Sequence, residues 1–339
     1  MWVERLGIVS ATRAGAINAS NPDILVQERQ QSACLSVIVL ADHYSTIRRL
    51  VEHLSRQTRA LEIELVIGCP SAKALELPSE LAALLACVKL VETPLLPVGP
   101  ARAAAVLAAS APVIVLGESH VFPAPDWAER LLQAHGDGWE TVAPGLRNAN
   151  PESARSWTGF LMDYGTWIGE LPQGEIAEPP WYNASWSRAA LLRFGNELPR
   201  KLEPGARLIP LSGGSPSRCY HAANAKLAHL NVARPRGSWA EERYLGGRLF
   251  GAQRSRGWPL LRRLAYVCGS PLVPLICFVR TRPALRLVRA AQKLPRWTLL
   301  ALAAGCVLWG IGEATGYLAS EGNSAERMFE YELHKERYA

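Results

Sequence analysis

The stretch LSVIVLADHYSTIRRLVEHLSRQ, residues 35–57, decides the fold of this chain of 339 residues. Its first part, residues 35–41, is apolar and rich in β-branched side chains, which predicts a buried strand. Residues 46–57 place their apolar side chains at Ile47, Leu50, Val51 and Leu54. That spacing predicts a helix with one buried face, so a strand is followed directly by a helix.

The same alternation continues along the chain. Further strands are predicted at residues 63–68, 88–93 and 112–120, and further helices at residues 79–88 and 99–110. Alternating strands and helices predict an α/β fold with a parallel sheet and helices on its faces. The last predicted strand, PVIVLGESH, ends abruptly in polar residues. Because ligands of open α/β sheets bind beyond the carboxyl ends of strands, we expect the functional site there.

The charge distribution distinguishes two classes of partner. The chain has a net charge of +7, which would attract either a nucleic acid or an anionic membrane. Residues 251–296 contain ten Lys and Arg residues and no Asp or Glu. Apolar residues separate these cations, a mixture that is typical of a segment lying on a membrane surface. The sequence therefore predicts a membrane partner and no nucleic acid.

A long apolar segment follows this basic region. Residues 299–319 are interrupted only by Glu313 and Thr315, and ~20 apolar residues suffice to span a bilayer. Cations precede the segment and a more acidic tail follows it, so the positive-inside rule predicts a cytosolic catalytic part and a tail on the other side. The alternative is a buried or interfacial helix, because Glu313 is unfavourable in lipid.

Other features describe the environment of the chain. Its seven cysteines are scattered without a CxxC pair, which predicts reduced thiols in the cytoplasm and no zinc site. The first residues lack the sustained apolar core of a secretory signal. Residues 1–33 are polar and predict a loose extension before the folded part.

The order of these elements resembles a known family. LSVIVLADHYSTIRRLVEHLSRQ, then IELVIGCPS, then GPARAAAVLAASAPVIVLGESHVFPAPDW, is similar to the first half of a family 2 glycosyltransferase. The segments YLGGRLFGAQRS and GIGEATGYL resemble the membrane portion of a bacterial subset of this family. The resemblance covers residues 34–317. It implies a GT-A fold that transfers a sugar from a nucleotide-sugar donor to a glycan or lipid-linked acceptor, as in polysaccharide biosynthesis.

The resemblance also implies an order of regions along the chain. An N-terminal extension (1–33) precedes a GT-A glycosyltransferase domain (34–243), a basic amphipathic membrane-surface region (244–296), a transmembrane or membrane-embedded helix (297–319) and a tail (320–339). The protein would then belong to the cytoplasmic membrane, with its catalytic domain in the cytosol.

A divalent metal is part of what the resemblance implies. The family holds the ion on the donor diphosphate with an acidic DxD-type motif after a strand, and Glu118, Ser119 and His120 stand at that place here. Carboxylate and imidazole are both competent ligands. In several GT-A enzymes the closing strand, which CYHAANAKLAHLN resembles, ends in a metal-binding His, which implies His229 as a third ligand. Mg²⁺ or Mn²⁺ held there would neutralise the leaving diphosphate.

Further donor and catalytic residues follow from the same resemblance. Asp42 and Arg102 are implied in donor binding, beside Glu118 and His120. In YNASWSRAALLRFGNELPRKLEPGARL the family has an acceptor-binding turn and then an acidic segment that supplies the general base.

The positions in this second segment assign the base and the acceptor contacts. Glu203 matches the position of the base, and Glu197 is the second candidate. The acceptor-binding residues implied by the turn are Trp181, Tyr182, Asn183 and Trp186.

Structural alternatives exist for these assignments. Asp42 would also serve as a cap of the helix that starts near Ser45, and His229 as a core histidine. Glu203 would also begin a turn before Pro204, and the aromatic residues would also fill a core. For the chain as a whole, the alternatives are a catalytically silent GT-A membrane scaffold and a metal-independent transferase.

Overall fold

A large mixed sheet with helices on its faces forms the body of the protein. The computed structural model describes residues 24–28, 32–204, 211–212, 215–216, 218–234 and 237–339. The strands are β1 (Ile24–Glu28), β2 (Leu35–Leu40), β3 (Ile63–Cys69), β4 (Cys87–Glu92), β5 (Val113–Leu116), β6 (Val121–Pro123), β7 (Thr141–Asn148), β8 (Gly174–Ile176), β9 (Ser185–Ser187), β10 (Leu211–Ser212), β11 (Ser215–Pro216) and β12 (Cys219–His229). The helices are α1 (Tyr44–Leu54), α2 (Ala72–Leu75), α3 (Val98–Ala108), α4 (Trp127–Gly136), α5 (Ala154–Tyr164), α6 (Arg188–Leu192), α7 (Leu198–Lys201), α8 (Ser238–Arg254), α9 (Leu260–Gly269), α10 (Val273–Ala291), α11 (Thr298–Ala319) and α12 (Ser324–Leu333).

The strands of the large sheet follow the order β1-β4-β3-β2-β5-β9-β7-β12-β6, and β8 also pairs with β12. Its centre, β4-β3-β2-β5, is parallel. Strand β9 lies antiparallel between β5 and β7, while β7 and β12 are again parallel. The predicted α/β fold class, with a parallel sheet, flanking helices and apolar carboxyl-terminal helices, is confirmed.

Burial follows the sequence pattern closely in the first βαβ unit. Every residue of β2 and β3 is buried, as expected for central parallel strands with helices on both faces. Helix α1 buries the four residues predicted from their spacing, Ile47, Leu50, Val51 and Leu54.

Three predicted elements differ from the structure. The predicted helix at residues 79–88 is only a 3₁₀ turn, Ser79–Ala83, because β4 already begins at Cys87. The predicted strand at 112–120 ends at Leu116, so Glu118 and His120 lie in the turn before β6. The predicted loose extension contains β1, which pairs antiparallel with β4 at the edge of the sheet. The rest of that extension, residues 1–23 and 29–31, lies outside the described residues.

Glycines allow α8 and α11 to pack closely side by side. A methyl group at Gly247 would overlap the carbonyl oxygen of Trp309, and one at Gly312 would overlap that of Tyr244. Small residues at such positions let two helix backbones approach each other. Glu313, the acid within the apolar segment, is buried in this contact, where it accepts a hydrogen bond from Tyr317 and lies 3.6 Å from Arg254 Nη1.

Within the described residues, two helical stretches are long and apolar enough to cross a membrane, Leu260–Ala291 and Thr298–Ala319. Buried core helices can have the same length and composition, so the contacts of these helices with the rest of the protein must be considered as well. After α11 the chain turns back, and α12 packs along α8, where Arg327 Nη2 lies 2.6 Å from Glu241 Oε1. The charge rule predicts a tail on the far side of a bilayer; in the structure the tail lies against the domain that contains the large sheet.

Candidate metal centre

Strand pairing brings together the three predicted metal ligands. Glu118 and His120 occupy the turn between β5 and β6, and His229 is the last residue of β12. Strand β12 runs antiparallel to β6 with His229 opposite Val121, the neighbour of His120. The Leu230 amide also donates to the His120 carbonyl oxygen, at 3.1 Å. The register of this pairing therefore places the two imidazoles at one end of the sheet.

The three side chains form a compact group of ligand atoms. Nε2 of His229 lies 3.1 Å from Nε2 of His120 and 3.4 Å from Oε2 of Glu118. The distance from His120 Nε2 to the same carboxylate oxygen is 3.8 Å. Ligands bound ~2.1 Å from a divalent ion lie roughly 3.0–3.5 Å apart in tetrahedral or octahedral geometry. The spacing therefore fits a shared divalent cation.

A hydrogen-bond network fixes the tautomer of His229. Asn231 Nδ2 donates to Asn148 Oδ1 at 3.0 Å, which identifies Asn231 Oδ1 as an acceptor. His229 Nδ1 lies 3.0 Å from that oxygen and therefore donates to it. The neutral ring then has a lone pair on Nε2, directed at His120 and Glu118. This is the form of histidine that binds metals.

Two neutral donors hold the carboxylate of Glu118. Asn183 Nδ2 donates to Glu118 Oε2 at 2.6 Å, and Tyr164 OH donates to the same oxygen at 3.0 Å. Asn183 adopts a left-handed backbone conformation, with φ of 66°, on the segment that leads into β9. Burial and the charge of Glu118 hold the pKa of Tyr164 well above its usual value, so Tyr164 stays a donor.

The protonation states of the group suit metal binding. Burial disfavours the charge of Glu118, but interactions with His120, His229 and Lys335 hold its pKa well below the usual value. Burial lowers the pKa of both histidines, that of His120 strongly. An ionised carboxylate and neutral imidazoles are the forms that ligate a metal. The residues present therefore fit a divalent ion.

The surroundings of Arg102 are a second indication of what kind of ligand the site binds. Its side chain is buried, donates from Nη2 to the Gly117 carbonyl oxygen at 3.2 Å, and stacks on the Tyr182 ring at 3.8 Å. Its Nε and Nη1 atoms have no hydrogen-bond partner among the described residues. A buried guanidinium with two free donors is suited to an anion such as a phosphate group.

The carboxyl-terminal tail completes the surroundings of the centre. Glu332 Oε2 lies 3.6 Å from His120 Nε2, and Lys335 Nζ lies 2.8 Å from Glu332 Oε1. His334 Nε2 lies 3.2 Å from Asp42 Oδ2. Two of the predicted donor-binding residues, His120 and Asp42, are thus in contact with the tail.

The two candidate bases have different environments. Glu203 is half-buried beside Gly99 at the start of α3, and burial raises its pKa. Glu197 is exposed and pairs with Arg200, whose Nε lies 2.7 Å from Glu197 Oε2. Neither has a contact with the metal centre among the hydrogen bonds of the described residues.

The predicted acceptor residues are also separated by the structure. Trp181 and Tyr182 are partly exposed neighbours with ring centroids 4.1 Å apart. Asn183 is buried and holds Glu118. Trp186 is fully buried in the core of the sheet, where its ring has no face open to an acceptor.

Sequence reasoning missed several residues of the centre. Asn231 follows His229 by two positions, so the motif HLN was an available signal for a residue that orients a histidine. Tyr164 lies at the end of α5 and the tail residues lie far along the chain. No local pattern marks either as part of the site.

Comparisons with known proteins give resemblance in fold only. No protein-family profile and no curated protein matches the chain. Among solved structures, Staphylococcus aureus TarS 1-349 is 17% identical, with 64% of this chain and 64% of that chain covered and a TM-score of 0.35. The chain therefore spans less than two thirds of that fragment.

Two further structures contain nucleotide sugars. The mannosyltransferase PcManGT from Pyrobaculum calidifontis, in complex with GDP-Man and Mn²⁺, is 16% identical over 91% of this chain and 89% of that chain, with a TM-score of 0.39. Glucosyl-3-phosphoglycerate synthase from Mycobacterium tuberculosis, with Mn²⁺, UDP-glucose and phosphoglyceric acid, is 19% identical over 47% and 58%, with a TM-score of 0.30. Glycosyltransferases are thus among the solved structures that are similar to this chain, with TM-scores of 0.35, 0.39 and 0.30 for these three.

Proposed function

We propose that this chain is a glycosyltransferase that moves a sugar from a nucleotide-sugar donor, assisted by Mg²⁺ or Mn²⁺. The observation that carries the proposal is the convergence of Glu118, His120 and His229, in ligand-ready protonation states, at the carboxyl end of a parallel sheet. Arg102, with two free buried donors, supports an anionic ligand nearby. The order of elements that resembles family 2 glycosyltransferases supports the choice of reaction.

The donor side of the reaction requires stabilisation of a leaving diphosphate. A bound divalent ion supplies positive charge where that negative charge develops. Arg102 donates to a diphosphate oxygen, and Asp42, after β2, contacts the nucleotide. Asn183 and Tyr164 orient the Glu118 carboxylate, while Asn231 keeps the His229 Nε2 lone pair directed at the ion.

The acceptor side requires a base that removes a proton from the attacking hydroxyl. Glu203 is our candidate, because its burial raises its pKa towards the range in which a carboxylate accepts a proton efficiently. Tyr182 lies against Arg102, whose guanidinium stacks on its ring at 3.8 Å. Together with Trp181 it offers an aromatic surface for a glycan or lipid-linked acceptor.

The membrane is the proposed location of that acceptor. Helices α9, α10 and α11, with the turn between α9 and α10, expose large apolar side chains, among them Leu260, Leu261, Leu272, Leu275, Ile276, Leu300 and Ile311. The same region has ten cations and no acid in residues 251–296. This combination favours docking on an anionic leaflet, with the catalytic domain on the cytosolic side.

Donor hydrolysis with and without metal tests the proposal. Purified full-length protein is incubated with UDP- and GDP-sugars and Mn²⁺ or Mg²⁺, and Mn²⁺ binding is measured separately by calorimetry. Glu118→Gln should abolish both turnover and Mn²⁺ binding, because it removes the anionic ligand while preserving side-chain volume. Glu152→Gln, at an exposed position, serves as the control and should behave as wild type.

The two alternatives give different results in this experiment. Mn²⁺ binding without hydrolysis of any donor would indicate a silent scaffold. Hydrolysis that EDTA leaves unchanged would indicate a metal-independent transferase.

A further inference from the structure

The carboxyl-terminal residues 332–337, here called the strap, lie across the candidate centre. The Glu332 carboxylate faces His120, and the Glu332 carbonyl oxygen accepts a hydrogen bond from Ser119 Oγ at 3.3 Å. Glu336 Oε1 lies 3.4 Å from Arg49 Nη1 on α1. Beyond the strap, the Ala233 amide donates to the Tyr338 carbonyl oxygen at 2.8 Å. The strap is therefore fixed on both sides of the centre.

An apolar side chain anchors the middle of the strap. Leu333 is 8% exposed and packs in a cluster with Leu40, Leu95, Val98 and Ala101. Leu40 ends β2, two residues before Asp42. The other three residues lie just before or within the first turns of α3, the helix that contains Arg102. Burial of this leucine side chain holds the middle of the strap in place.

The polar groups of the strap match those expected of a donor. A nucleotide sugar offers anionic oxygens to the metal centre and a base or ribose to Asp42. The strap places the Glu332 carboxylate 3.6 Å from His120 Nε2 and the His334 imidazole 3.2 Å from Asp42 Oδ2. A carboxyl group and an imidazole ring thus contact the two places where the donor's diphosphate and nucleoside would bind.

The strap also closes access to the centre. Glu118, His120 and His229 are 5%, 2% and 2% exposed. A nucleotide sugar reaches these buried ligand atoms only when the residues that cover them move, and the strap is the segment in contact with both His120 and Asp42. Donor and strap therefore bind in alternation.

We propose that the strap is an internal mimic of the donor, which holds the site closed until a nucleotide sugar displaces it. This inference rests on the proposed function, because it takes Asp42, Glu118 and His120 as the donor site. Displacement leaves the ligands of the ion in place, since they belong to the β5–β6 turn and to β12 and not to the tail. The apparent affinity for donor is then reduced by the fraction of molecules in which the strap is bound.

Nucleotide binding to full-length variants tests this inference. UDP and GDP are titrated with saturating Mn²⁺ by calorimetry against wild type, Leu333→Asp and His334→Ala. Leu333→Asp puts a charge into the apolar cluster and should release the strap, and His334→Ala removes the contact with Asp42. If the strap is bound in about 90% of molecules, its release raises affinity by about tenfold. Glu326→Ala, an exposed position on α12, is the control and should match wild type.

Hydrogen exchange of the tail provides a readout that does not depend on activity. With nucleotide and Mn²⁺ present, amides of residues 329–338 should exchange faster than in the free protein, because the ligand displaces the strap. Slower exchange, or weaker binding by both strap variants, would show that the strap is a lid that completes the site. Should Leu333→Asp fail to fold, His334→Ala decides, because it leaves the apolar cluster intact.

The same titrations separate this inference from the proposed function. Affinities of the strap variants equal to wild type, combined with loss of binding in Glu118→Gln, would overturn the strap inference alone. If no variant binds either nucleotide and Glu118→Gln has no effect on Mn²⁺ binding, the proposed function is also wrong.

Discussion

The Nε2 atoms of His120 and His229 lie 3.1 Å apart, although 109 positions separate the two residues in the chain. Asn231 fixes the His229 tautomer with a lone pair on Nε2, so a second lone pair on His120 Nε2 would repel it. A proton or a cation between the two nitrogens removes that repulsion. Burial lowers the pKa of both imidazoles and favours their neutral forms, so a hydrogen on His120 Nε2 bridges the pair in the free protein, and a divalent cation takes its place when both lone pairs face the ion.

Removal of the Asn231 side chain should weaken metal binding without removing a ligand. Asn231→Ala frees the His229 ring to rotate or change tautomer, and loss of such an orienting partner lowers metal affinity by roughly 10–100-fold. The concentration of Mn²⁺ needed for half-saturation, measured by calorimetry, should rise by that factor. Asn196→Ala, at an exposed position, is the matched control. An unchanged titration in Asn231→Ala would mean that the ion binds elsewhere.

Local sequence patterns were sufficient to predict the parallel centre of the sheet. Strands β2 and β3 and helix α1 appear within three residues of the predicted limits, because apolar periodicity directly reflects which faces are buried. The convergence of Glu118, His120 and His229 was also predicted, from the polar ends of two strands and a family resemblance.

The contacts that surround the centre could not be predicted in this way. Ser119 meets the tail across 213 positions of sequence, and Tyr164 reaches Glu118 from the end of a helix. Such pairings depend on how whole elements pack, and no spacing in the sequence encodes them. The charge rule considers only a bilayer, so the contacts of the tail with Ser119 and Asp42 could not be predicted from it.

Because α8 and α11 pack closely, we expect a single added methyl group between them to destabilise the protein. In Gly312→Ala the new methyl would overlap the carbonyl oxygen of Tyr244, so the two backbones must separate. Overpacking of this kind destabilises a protein by about 1–3 kcal/mol. Urea unfolding should therefore show a lower midpoint for Gly312→Ala than for wild type.

Gly136→Ala is the control for this measurement, because no atom of the described residues outside its own helix lies within 4 Å of the position of its added methyl. Gly136 ends a helix, so its substitution by alanine should change stability little. Equal stability of the two variants would show that α8 and α11 are further apart than in this structure.

His135 predicts that the protein loses stability in mild acid. Burial lowers its pKa to about 4, and Nε2 lies 2.9 Å from Ser185 Oγ. Between that value and the unfolded pKa of about 6.5, the unfolded chain binds more protons, so stability falls as the pH decreases through this window. From pH 7 to pH 5 this group accounts for a loss of up to about 2 kcal/mol.

Urea unfolding of wild type and His135→Gln at both pH values checks this prediction. Glutamine keeps a hydrogen-bonding side chain but does not titrate, so the variant should lose less stability on acidification. The same pH dependence in both proteins would assign the effect to other groups.

The exposed apolar and basic surface of α9, α10 and α11 predicts peripheral membrane binding. Full-length protein should float with vesicles that contain anionic lipid and bind less well in 1 M salt, where screening acts within ~3 Å. Leu261→Asp should weaken flotation, because Leu261 is 81% exposed on α9. Leu107→Asp is the matched control, since Leu107 is 57% exposed on α3, outside the basic region. Equal flotation of the two variants would exclude α9 from the membrane contact.

The packing of α11 further predicts on which side of the membrane the tail lies. Helix α11 lies beside α8, which carries Arg243 and Glu242, and α12 returns along the same helix. If α11 crossed the bilayer in this packing, those charges would lie in hydrocarbon, where each is unfavourable by at least ~2.5 kcal/mol. If α11 instead lies in the plane of the membrane–water interface, those charges stay out of the hydrocarbon. A reporter joined after Ala339 by a flexible linker should therefore be cytosolic, and an external reporter would show that α11 separates from α8 and spans.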